Sequence, residues 1–159
     1  MAKSRHKGNR SQEPFVRLPY SVLNSPLFLK LAPHAIKLLL DVAAQYRGDN
    51  NGDLCIAWKV MQPRGWRSEA TLHKAKRELL EAGFLYESRK GQRPNLCSLF
   101  ALTWFTFDDK DKYDHGAKAG FTPGEYRFKA PLTVIPPTAN GAVPTSRAVV
   151  AKQAQRHVA

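Results

Sequence analysis

The stretch RSEATLHKAKRELLEAGFL, residues 67–85, constrains this chain more than any other. At 100° per residue, Leu72, Ala75, Leu79 and Leu80 fall in one arc, with Ala82 at its edge. Burying each leucine stabilises by roughly 1.5–3 kcal/mol relative to exposure. A helix over residues 68–82 therefore has a determined inward side. Ser68 is placed to cap it, its hydroxyl accepting a free amide of the first turn. Thr71 stands where a capping box needs Glu or Gln, so the reciprocal bond is not expected. Gly83 is placed to stop the helix, because glycine enters the left-handed region cheaply. The opposite arc carries Ala70, His73, Lys74, Arg77, Glu78 and Glu81. Its cations lie in the first turns and its acids at the far end. Lys74 with Glu78 and Arg77 with Glu81 are spaced as i, i+4 pairs, so an ordinary solvated face is the plain alternative.

The neighbouring elements follow from their own punctuation. Pro14, Pro19, Pro26 and Pro33 forbid one long helix early in the chain. The reading there is an extended lead-in at residues 15–18, then short helical turns near 20–23 and 27–31. Pro33 suits the first position of a helix. Ile36, Leu39, Leu40 and Ala43 give that helix an apolar face, widened by Leu38 and Val42, before Gly48 ends it. LCIA at 54–57 reads as a short strand. AWKVMQPRGW supplies about two turns of helix, closed by Pro63 and Gly65. After the capped helix, FLYESR and LCSLFALTWFTF read as two strands joined by KGQRPN, a hairpin with a basic tip. The second strand is long and apolar on both faces, so helices are expected to cover part of it.

Helix, short strand, helix, turn, helix, strand, basic loop, strand is the order of a winged helix-turn-helix. The turn QPRG holds the glycine common in such linkers. LAPHAIKLLLDVAAQYRGDNNGDL and MQPRGWRSEATLHKAKRELLEAGFLYESRKGQRPNLCSLFALTW resemble the winged helix-turn-helix domains encoded by bacterial mobile elements. The layout is also similar to the N-terminal DNA-binding domains of phage and plasmid replication initiators. The most specific parts are RELLEAGFL, from the third helix into the wing, and ALTW in the returning strand. The resemblance covers residues 15–108. It implies an α+β fold of three helices with a short strand and a β-hairpin wing, and it implies DNA binding. Residues 1–14 are expected as a disordered basic arm and 109–159 as a basic Pro/Ala-rich tail. Within that tail Phe121, Tyr126 and Phe128 are candidates to dock on the domain.

Charge points to the partner. Lys and Arg outnumber Asp and Glu by 25 to 13, a net +12. Residues 1–17, 18–108 and 109–159 each carry a net +4, so the ends are denser in positive charge than the middle. Such an excess favours a polyanion. In the third helix Ala70, Thr71, His73, Lys74 and Arg77 are the base-reading candidates, because a helix in the major groove reads with its N-terminal part. Arg64, Arg67, Ser68, Arg89, Lys90 and Arg93 are candidates for phosphate or minor groove, and Lys3, Arg5, Lys7 and Arg10 for contacts from the arm.

Other chemistry is not expected. DNNGD at 49–53 fails as a calcium loop, because Leu54 and Val60 stand where Gly and Glu are needed. Cys55, Cys97, His34 and His73 lack zinc-site spacing, so no metal or cofactor is expected. Both thiols are read as buried in apolar strands, and their mutual bridging is not expected in a reducing cytoplasm. Trp58 and Trp104 are read as core anchors, while Trp66 is left open between core and base stacking. No phosphate loop or nucleophile elbow argues for an enzyme. No apolar run reaches a membrane span.

The sequence thus supports a sequence-specific double-stranded DNA binder, a transcriptional regulator or replication initiator of a mobile element. The alternative is a winged-helix interaction module whose C-terminal tail is the docking segment for a protein partner. RNA binding through the basic arms ranks last. Many such domains bind as homodimers, although no heptad-patterned helix is present to hold one.

Overall fold

The computed structural model describes residues 15–92, 94 and 96–129. The arm candidates Lys3, Arg5, Lys7 and Arg10, the tip candidate Arg93 and the tail beyond residue 129 lie outside the described residues.

The fold is α+β. Helices α1 (Tyr20–Leu23) and α2 (Pro33–Ala43) are separated by a 3-10 turn at Phe28–Lys30. Strand β1 (Leu54–Cys55) leads to α3 (Trp58–Met61), which tightens into a 3-10 turn over Gln62–Arg64. Gly65, at φ +86°, ends that turn. Helix α4 (Glu69–Glu81) follows, then β2 (Leu85–Arg89) and β3 (Leu99–Leu102). A last helix, α5 (Ala117–Gly120), precedes a 3-10 turn at Glu125–Arg127. The antiparallel sheet has the order β1-β3-β2, with β3 central. Among the described residues no helix is long and apolar enough to cross a membrane.

The main core is helical. Leu38, Leu39 and Val42 of α2 and Leu72, Ala75 and Leu79 of α4 pack with Met61, Phe84, Phe100 and Leu102. All four residues of β3 are buried, as a strand apolar on both faces requires. Phe100 and Leu102 join the helical core, while Ala101 on the other face packs with Phe107 and Ala117.

That second layer corrects two expectations. The strand is four residues long, because the chain turns away after Leu102 and is held there by Asn51. The Asn51 side-chain amide donates to the carbonyls of Leu102 and Thr106, each at 3.0 Å, and its Oδ1 accepts from the Leu102 amide at 2.7 Å. The DNNGD stretch thus serves as a staple on the end of β3. The expected domain end at residue 108 falls inside the packed body. Phe107, Tyr113 and Phe121 cover the outer face of the sheet. Tyr126 is fully buried, stacked on Phe84 at 5.1 Å between ring centroids. Phe121 and Tyr126 dock as the sequence suggested, whereas Phe128 is 75% exposed.

Two further differences are local. Cys97 lies before β3 rather than within it, and is exposed; Cys55 is half-buried. Trp66 is buried, its indole N–H donating to Asp41 Oδ2 at 2.8 Å, while Trp58 and Trp104 are partly buried against the core.

Candidate nucleic-acid interface

Helix α4 is closed at both ends by its own sequence. Ser68 is extended (φ −142°, ψ 123°), and its hydroxyl accepts from the Thr71 amide at 3.4 Å. Glu69 places a carboxylate against the positive end of the helix dipole. At the other end Gly83, at φ +74°, donates to the Leu80 carbonyl, and Phe84 to that of Leu79. This is a Schellman closure, with Leu79 and Phe84 supplying its apolar contact. No other residue suits position 83: a Cβ there would stand 2.9 Å from the Tyr126 amide nitrogen.

With Leu72, Ala75 and Leu79 buried and Leu80 half-buried, Ala70, His73, Lys74 and Arg77 are exposed and Thr71 is half-buried. The Arg77 side chain is 72% exposed and meets Glu81 only at 3.6 Å. The expected Lys74–Glu78 pair is not formed among the described residues. Glu78 instead turns to α2, where its Oε1 accepts from the Ala32 amide at 2.7 Å. Ala32 is the N-cap of α2, so Glu78 satisfies from a neighbouring helix the amide that a capping-box glutamate would take from within. Removing Glu78 from the outward arc leaves that arc more cationic than the helical wheel suggests.

The hairpin stands beside this face. One cleft, about 240 Å³, is lined by Glu69, His73 and Lys76 of α4, by Trp58 at the start of α3, and by Cys97 and Ser98 at the foot of the hairpin. The Lys76 ammonium lies 5.8 Å from the centroid of the Phe100 ring. Sequence reasoning passed over Lys76. The signal was its position four residues after Leu72, at the border of the inward arc, where a lysine stem lies along apolar surface and its head reaches out.

Not every candidate cation is available. Arg64 donates from Nε to Asp41 Oδ1 at 2.9 Å, and its carbonyl accepts from Lys37. Arg89 is half-buried and turns back to the Cys97 carbonyl at 3.1 Å and the Lys112 carbonyl at 3.5 Å. It secures the hairpin's foot instead of pointing from the tip. Both guanidiniums thus have partners within the fold, Arg64 while its side chain stays 41% exposed. Arg67 and Lys90 are exposed. Lys90 is positioned through its main chain, its amide donating to Asp114 Oδ2 at 2.8 Å, and the Gly91 amide donates to Ser98 Oγ at 2.9 Å.

Behind the α3–α4 turn, Asp41 gathers Lys37, Arg64 and Trp66. Burial pushes its carboxyl up, but the bonds from Lys37, Trp66 and Arg64 outweigh this and hold it below its ordinary value. Lys37 also sits 5.0 Å from the centroid of the Trp66 ring. Trp66 therefore anchors the turn from inside and is not a stacking platform.

Comparison with protein-family models, characterised proteins and solved structures returned no match for this chain.

Proposed function

We propose that this chain is a winged helix-turn-helix protein that binds double-stranded DNA sequence-specifically, as a transcriptional regulator or replication initiator of a mobile element. In this reading α3 and α4 are the helix-turn-helix, α4 enters the major groove, and the β2–β3 hairpin is the wing. The carrying observation is that His73, Lys74 and Arg77 lie on one exposed ridge of α4, with the hairpin's foot and α4 sharing a cleft. Ala70, at the start of that ridge, lets a base edge approach closely. Arg67 and Lys90, both exposed, supply phosphate contacts in this reading. The net charge of +12 supports a polyanionic partner.

The interaction-module reading draws less support. Two of its docking residues, Phe121 and Tyr126, are used by the chain's own fold.

Selection of bound duplexes from random DNA, followed by titration against the selected and a scrambled duplex, tests the proposal. Arg77→Ala is expected to cost about 1–3 kcal/mol on the selected site and to relax preference at one base position. Lys90→Ala is expected to weaken both duplexes alike and to flatten the salt dependence. Failure to enrich any duplex, or affinity indifferent to salt, overturns the reading.

A further inference from the structure

We propose that Cys55 and Cys97 form an oxidisable thiol pair, which a peroxide joins into a disulfide tying the hairpin's foot to the segment that enters α3. The two sulfurs are 3.7 Å apart, although 42 residues separate them in sequence. Cys55 ends β1 opposite Leu99 of β3, and Cys97 lies two residues before Leu99, so the pairing of β1 with β3 brings the two segments together. A disulfide needs about 2.05 Å between sulfurs, so the gap closes by less than the width of an atom. Cys97 lies in the lead-in to β3, between the Gln92–Leu96 bridge and the first β3 pair at Leu99.

The chemistry assigns the two thiols different parts. Cys97 is exposed and open to a small oxidant, and Arg89 donates to its carbonyl at 3.1 Å, holding it beside β2. Cys55 is half-buried, and its Sγ accepts from the Ala57 amide at 3.5 Å. Burial pushes the Cys55 thiol up, which makes it the second to react. The Cys97 thiolate attacks one oxygen of hydrogen peroxide, giving a sulfenic acid and releasing hydroxide, which takes the thiol's proton as water. Cys55 then loses its proton and attacks the Cys97 sulfur, displacing hydroxide as a second water. Two thiols are oxidised by two electrons and one peroxide is reduced to two waters. The loop closed by the new bond contains α3, α4 and β2, so oxidation constrains every element that builds the cationic face. The pairing stands independently of what that face binds.

The test uses the full chain, reduced, treated with an equivalent of hydrogen peroxide, then blocked with an alkylating agent in denaturant. The expected product is a monomer about 2 Da lighter than the reduced chain, with both cysteines resistant to alkylation and a peptide linking Cys55 to Cys97. The thermal midpoint should rise by at least about 5 °C, reversibly on adding a dithiol. Cys97→Ser should abolish both changes. Unfolding the chain in urea before oxidation should slow bridging at least about tenfold, because proximity comes from the fold. Intermolecular dimers, peroxide-oxidised Cys97 with Cys55 still free, or equal bridging rates in folded and unfolded chain would each overturn the proposal.

Discussion

Asp41 is a single buried carboxylate with three donors, and it ties α2 to the turn that aims α4. Lys37 and Arg64 are half-exposed, so losing the carboxylate lets them return to water. Trp66 has no such outlet, because its indole is buried. Asp41→Ala is therefore expected to cost about 2–3 kcal/mol in denaturant unfolding, mostly from the stranded indole N–H and the lost charge-assisted bonds. The pH dependence follows from the lowered carboxyl. The stabilisation is complete above the unfolded-chain value of about 3.9 and is lost as pH falls through the lower folded value. Asp53, lowered in the same direction with Lys112 and Lys110 overcoming its burial, adds to this window. Unfolding free energy should stay level for these groups near neutrality and drop below about pH 4. Asp41→Asn should show a shallower acid-side slope; an unchanged slope would rule out Asp41 as a contributor.

At the scale of elements, α4 and α2 are coupled through Glu78 as well as through their apolar faces. Helix α2 begins Ala32-Pro33-His34-Ala35, with no side chain able to cap it from within. The carboxylate that reaches Ala32 comes from the third turn of α4. Glu78→Ala should cost about 0.5–2 kcal/mol, the range of a lost helix cap. Hydrogen exchange should rise selectively in the first turn of α2. Uniform loss of protection across both helices would mean that Glu78 acts through general stability and not as a cap. This contact also shows where helical periodicity misleads. It places Glu78 outward at i+4 from Lys74, and a neighbouring helix end, invisible along one wheel, claims it.

For the whole molecule, the question is how far the packed body extends. β3 is buried on both faces, so it needs a layer on each, and the helices supply one. Residues after 104 supply the other through Phe107, Ala117 and Phe121, while Tyr126 crosses back to close the helical core against Phe84. Asp53 meets Lys110 at 2.9 Å and Lys112 at 2.7 Å, adding a polar fastening. Tyr126→Ala is expected to cost about 3–5 kcal/mol, the range for a fully buried aromatic truncation. A chain ended after residue 108 should lose its cooperative thermal transition. A truncated chain melting like the parent would show that residues 109–129 are dispensable.

Local patterning was enough for the two long helices. Ser68, Gly83 and the leucine arc delimit α4 within a residue at each end, and Pro33 opens α2, because caps, stops and helical faces are written in neighbouring residues. His73, Lys74 and Arg77 were legible on the outward side for the same reason. Assignments that depend on distant partners were not legible. Arg64, Arg89 and Glu78 read as surface charges until folding sets Asp41, the Cys97 carbonyl and the Ala32 amide beside them. Cys55 and Cys97 read as separate buried thiols until strand pairing brings their sulfurs to 3.7 Å. A side chain's periodic position says which way it leaves its own backbone. What meets it there is settled by segments tens of residues away, through packing that no single stretch of chain encodes.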